Sequence, residues 1–164
     1  MKQLQLVLLA FFTASTLSAQ VTIEQEIDDM TDKVTYYVSH LFVVSNEAAS
    51  KGFTIKPMLK KEDGKIFSDG WIVNAYNLGG CNEDNELVIL FTDGTKITLK
   101  SFSKFRCETY SFFMLSLEQE TMISTKAISK VRYTNGYTYD SYTNAPVNSN
   151  YFIQVYDALE TANQ

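Results

Sequence analysis

The chain has 164 residues, 45% of them hydrophobic and 20% charged, with a formal net charge of -5. That composition lies far from the disordered regime, and its sign disfavours a nucleic-acid partner. The length suits one domain able to bury its own core.

Lys2, the apolar run Leu6 to Phe12 and the small polar residues leading to Ala19 have the order of a secretory signal peptide. The run is too short for a permanent bilayer span. The expected organisation is therefore a signal at 1–19, one β-rich domain at 20–164, export to the periplasm or beyond, and no stable membrane span. Loss of Lys2 takes the net charge from -5 to about -6. The remaining Lys and Arg residues look scattered along the chain.

The acidic stretch Glu24 to Asp32 precedes the core. Val34 to Val44 reads as one long strand, and Phe53 to Leu59 and Trp71 to Tyr76 as shorter ones. Asp63-Gly64, Asp69-Gly70, Asp93-Gly94 and Asn135-Gly136 favour positive backbone torsions and are expected to form turns. A two-residue Asp93-Gly94 loop would set Leu90 against Ile97 and Val88 against Leu99. Residues 86–92 are apolar on both parities, so their second face should be covered by a helix, another layer or a partner chain. Thr109 to Leu117 reads as a central strand. Ser116 and Gln119 then form a capping box for a short helix near 117–124. The second hairpin, Ile128 to Thr143, would turn at Asn135-Gly136 and place Arg132 beside Tyr139. Phe152, Val155, Tyr156 and Leu159 recur at helical spacing, so an amphipathic C-terminal helix is expected, with Asn148 to Asn150 as cap candidates. The fold class is α+β, mainly an antiparallel sheet in a hairpin meander.

Cys81 and Cys107 are the only cysteines, and in an exported chain they are expected to form a disulfide. Closing a loop of about 25 residues would stabilise the fold by roughly 3.5 kcal/mol in the chain-entropy model. His40, the sole histidine, shares a parity with Tyr36, Val38 and Phe42 and reads as a half-buried or hydrogen-bonded strand residue. No G-x-S-x-G nucleophile elbow occurs. The cluster Asn82 to Glu86 lacks the ligand alternation and glycine of a calcium loop and reads as a solvated turn, as do Asp28, Asp29 and Asp32. No metal, cofactor or catalytic residue is expected.

Tyrosine is the feature that stands out, with six of the ten in the last third. Arg132, Tyr137 and Tyr139 would share a face of the second hairpin as a ligand-binding surface for a glycan or protein. These features favour an exported non-catalytic binding or interaction module over an enzyme. A small glycan or cell-wall hydrolase with a carboxylate pair, and a structural or assembly protein, are the alternatives.

The order of Asp28-Asp29-Met30-Thr31, Leu87 to Leu99 around Asp93-Gly94, Phe105-Arg106-Cys107 and Ile128 to Tyr133 resembles small secreted bacterial domains of uncharacterised function. The likeness rests on turn and core patterns, implies a bacterial exported protein, and carries over no activity or site.

Overall fold

The computed structural model describes residues 20–79, 81, 83–102 and 110–164. The expected signal at 1–19, and Cys107 with it, lie outside the described residues. The chain forms mostly antiparallel sheets with two helices.

An exposed hairpin comes first, β1 (Ile23–Asp28) with β2 (Lys33–Val38). The expected long strand is broken here: a bend at Ser39 and His40 separates β2 from β3 (Phe42–Ser45). His40 is exposed, not half-buried, and its carbonyl accepts a 2.6 Å hydrogen bond from the Tyr151 hydroxyl. β4 (Gly52–Glu62) and β5 (Lys65–Tyr76) follow as a long hairpin. Asp63-Gly64 is its two-residue turn, with both residues at positive φ.

Asp69-Gly70 is not a turn. Between the Pro57–Trp71 and Leu59–Ser68 pairs it forms a bulge opposite Met58. Gly70, at φ +110°, is needed there because a Cβ would come within 2.7 Å of the Phe113 carbonyl oxygen.

β8 (Tyr110–Phe113) completes a sheet of order β3-β4-β5-β8. The second sheet has the order β10-β9-β6-β7, from β6 (Glu86–Phe91), β7 (Lys96–Lys100), β9 (Ile128–Thr134) and β10 (Ser141–Asn144). Two seams join them. At one, Ser101 bridges Phe113 and Phe102 N–H donates to the Phe112 carbonyl. At the other, the Asn144 amide donates to the Ser45 carbonyl and Val147 N–H to that of Val43. The eight strands thus make a nearly continuous antiparallel ring whose free edges are largely occupied.

Two hairpin registers differ from expectation. In β6–β7, Phe91 N–H donates to the Thr95 carbonyl across a three-residue loop ending at Gly94, φ +84°. The extra loop residue shifts every pair by one: Ile89 meets Ile97, Leu87 meets Leu99, and this face is buried. In β9–β10, Thr134 pairs with Ser141, leaving the six-residue loop 135–140. Arg132 therefore faces Thr143 and not Tyr139.

That loop is held from inside. Asn135 is buried; its amide donates to the Cys81 carbonyl and its oxygen accepts from Tyr137 and Thr138 N–H. Gly136 N–H donates to the buried Asn85 side chain, and Asn85 exchanges hydrogen bonds with Ser101. Local side-chain bonding to the backbone replaces the tight turn that the dipeptide favours.

α1 (Leu117–Thr125) carries the expected capping box between Ser116 and Gln119. α2 (Tyr151–Ala162) buries Tyr151, Phe152, Val155 and Leu159. It does not lie over Val88 and Leu90, which the observed register turns outward on β6. It closes the interior of the ring instead, with Phe152 stacked on Trp71 at 4.4 Å and Phe42 at 5.0 Å from Phe152. Asn163 at its C-terminal end clasps Ile66, accepting from its N–H at 2.7 Å and donating to its carbonyl at 2.8 Å. From the two sheets, Phe53, Ile55 and Val73 face Leu87, Ile89, Val131 and Tyr133 in the same core, and the Phe53 and Tyr133 rings lie 5.6 Å apart.

Outside the core, Lys126 pairs with Asp93 at 2.8 Å, and Lys126 and Thr95 hold the Asp93 carboxyl below the ordinary aspartate range. A lowered folded value adds stability above the ordinary range and loses it as the pH falls through the folded one. Lys126→Gln should therefore lower Tm at neutral pH, with the difference from the parent chain narrowing in acid. Thermal melts across a pH series check this. Phe152→Ala should cost about 3–5 kcal/mol by emptying the aromatic junction. Gly136→Ala should cost about 2 kcal/mol or more, because its Cβ would lie 2.1 Å from the Glu83 carbonyl oxygen. Denaturant unfolding measures both.

Candidate functional site

The structure separates the tyrosines by role. Tyr133 and Tyr151 are buried, and burial raises the pKa of each, as it does that of Tyr156. Tyr137 and Tyr139 are exposed, at 53% and 82%, on loop 135–140. Arg132 stands on the outward face of β9, with its guanidinium 3.5 Å from Glu86. The expected single patch is thus two places, a loop with two tyrosines and a cation on a sheet face.

A more enclosed surface lies elsewhere. The hairpin β1–β2 leans over the outward face of β4 and β5, making a cleft of about 530 Å³ lined by Tyr36, Tyr37, Lys56, Met58 and Ile72, among others. Its size falls within the usual range for ligand sites. The wall is stiffened at two points. Tyr37 donates its hydroxyl to the Glu24 carboxylate opposite it in the ladder, which holds the phenol pKa above its ordinary value. The Lys61 ammonium sits 5.6 Å from the centre of the Tyr36 ring.

Alternation along β4 and β5 extends this cleft. Lys56 pairs with Ile72 and Thr54 with Asn74, and on β8 Phe112 and Tyr110 continue the same two rows. Thr54 and Asn74 line a second hollow of about 630 Å³ with Tyr76 and Asn77. One track therefore runs from Tyr76 to Tyr36 over the outside of the first sheet. It mixes aromatic rings with amide, hydroxyl and ammonium groups, which suits a ligand with both apolar faces and hydrogen-bonding edges. The sequence signal for it was present: Ile72, Tyr76, Tyr110 and Phe112 are apolar or aromatic on the parity opposite to Trp71, Val73, Ser111 and Phe113.

Among the described residues no group of three or more His, Cys, Asp or Glu side chains could hold a metal ion, and no helix is long and apolar enough to cross a membrane. Glu26 is the carboxylate lining the 530 Å³ cleft, whereas acid–base cleavage of a glycosidic bond uses a pair.

No protein-family model, curated protein or solved structure matches this chain.

Tyr137→Ala and Tyr139→Ala should each leave stability within about 0.5 kcal/mol of the parent, as expected of exposed loop side chains. Unfolding of either variant in a thermal melt would place those rings in the core instead.

Proposed function

We propose that this chain is an exported, non-catalytic binding module, and that its ligand, a glycan or a protein segment, lies along the outward face of the first sheet from Tyr76 to Tyr36. The observation that carries this reading is the cleft beneath β1–β2, where Tyr36, Met58 and Ile72 meet Lys56 and Glu26 on an otherwise uncovered sheet face. Aromatic side chains give such a surface contact area at small entropic cost, and their hydroxyls tolerate water at the rim. Export follows from the order of residues at 1–19, and a Cys81–Cys107 disulfide would brace the segment that holds Asn135. Cys81 already receives the Asn135 amide on its carbonyl.

Two measurements test the reading. Amide chemical shifts should be followed against a panel of cello-, chito- and xylo-oligosaccharides and a mixed peptide library. One panel member should move the amides of Lys56, Ile72 and Asn74, and Tyr36→Ala combined with Tyr76→Ala should weaken that binding about tenfold or more while the fold persists. Shifts confined to other surfaces, or none at all, would remove the track as the site. The disulfide predicts that alkylation of the unfolded, unreduced protein adds no mass, and that two groups are added after reduction.

A further inference from the structure

The outward face of the second sheet is a separate surface, and its charge is opposite to that of the molecule. The whole chain carries 14 Lys and Arg against 19 Asp and Glu. On this face Lys96 and Lys100 from β7 and Lys130 and Arg132 from β9, all exposed, stand against Glu86, the one carboxylate within the four described strands. The ladder fixes their arrangement. Lys130, Leu90 and Lys96 form one row; Arg132, Val88 and Thr98 the next; Thr134, Glu86 and Lys100 the third. With strands about 4.8 Å apart, the positions of β9 and β7 lie roughly 10 Å from each other across β6, and Lys96 and Lys100 lie roughly 13 Å apart along β7. Arg132 spends part of its charge on Glu86 at 3.5 Å. Lys96, Lys100 and Lys130 make no ion pair among the described residues. Cations that look scattered in the sequence are thus gathered by strand order, around a half-buried aliphatic floor of Val88 and Leu90.

We propose that this face binds a carboxylate-bearing polysaccharide. Three features select that occupant. Val88 and Leu90 are recessed between longer Lys and Arg side chains, so no apolar group stands out to enter a bilayer. No aromatic side chain points outward from these four strands, and single-stranded nucleic acids need such rings to stack their bases. β6 and β9 are both interior strands, so an extended peptide finds no free edge on which to add a strand. An acidic glycan needs none of these. Its carboxylates meet the lysines, its hydroxyls meet Thr98, Thr134 and Thr143, and the C–H faces of its rings lie over Val88 and Leu90. This surface is distinct from the track between Tyr76 and Tyr36 and does not depend on it.

The test is titration of the full chain with polygalacturonate at low ionic strength, with neutral dextran, poly-glutamate, single-stranded DNA and anionic lipid vesicles as separate arms. Polygalacturonate should bind, should shift the amides of Val88, Leu90 and Thr98, and should weaken as salt is raised. Lys130→Glu with Arg132→Glu should reduce affinity about tenfold or more. Lys96→Gln with Lys100→Gln, which reverses no charge, should reduce it by a smaller factor and covers the case in which the first variant fails to fold. Lys60→Glu, outside the face, should leave it unchanged. Absence of polygalacturonate binding, equal loss in the Lys60→Glu control, or tighter binding of DNA, poly-glutamate or vesicles would overturn the assignment.

Discussion

The seating of Phe152 between Trp71 and Phe42 is the contact on which the rest of the structure depends. A ring of eight strands has more interior at its mouth than sheet side chains can fill, and α2 supplies the missing volume from a distant part of the chain. The stack with Trp71, at 4.4 Å and 17° between planes, orients the helix, and Tyr151 adds an edge contact at 5.0 Å. Two hydrogen-bonded anchors then fix its ends: Tyr151 to the His40 carbonyl at the bend before β3, and Asn163 to the backbone of Ile66. The first anchor lies at the bend, and the second on the stretch of β5 that precedes its pairing with β8. The helix therefore organises the bend and the far half of the β4–β5 hairpin as well as filling the core.

A polar contact of comparable weight stands under the loops. Asn85 and Asn135 are fully buried, and burial of unpaired amides would be costly. The Asn135 amide bonds to Tyr137 and Thr138 N–H and to the Cys81 carbonyl, and the Asn85 side-chain oxygen accepts from Gly136 N–H while its backbone exchanges bonds with Ser101. The result ties the segment before β6, the end of β7 and loop 135–140 into one unit. Loop 135–140 is then a presented structure with Tyr137 and Tyr139 outward, where a two-residue turn would have carried both into the ladder.

Legibility in the sequence followed the range of the interactions. The capping box at Ser116 and the helical face of Phe152, Val155 and Leu159 are local patterns, and both elements lie where those patterns put them. The Asp63-Gly64 turn is likewise local. Asp69-Gly70 and Asn135-Gly136 have the same chemistry, but the approach of Phe113 turned one into a bulge and the pull of Asn85 and Cys81 opened the other into a loop. At Asp93-Gly94 a single added loop residue reversed the faces of β6, since the side-chain period is two. The site was less legible than the fold. Tyr137 and Tyr139 are exposed as the binding reading required, but the pairing of Arg132 with Tyr139 rested on the wrong register. The track beneath β1–β2 joins residues some twenty to forty positions apart, which no local pattern connects.

The destination of α2 also explains why the outward faces of both sheets are free of it. Both parities of residues 86–92 call for cover; the register buries Leu87, Ile89 and Phe91 and turns Val88 and Leu90 outward, and α2 is spent inside the ring against Trp71 and Phe42. Among the described residues neither four-stranded sheet has a helical layer on its outside, so side chains alone set the character of both outward faces. On the first sheet, aromatic residues and the overhanging β1–β2 hairpin produce a cleft. On the second, β7 and β9 place lysines and an arginine on either side of β6, and their aliphatic stems shield the apolar strip that a helix would otherwise cover. The same residues thus solve the exposure of Val88 and Leu90 and create a cationic field on an acidic protein.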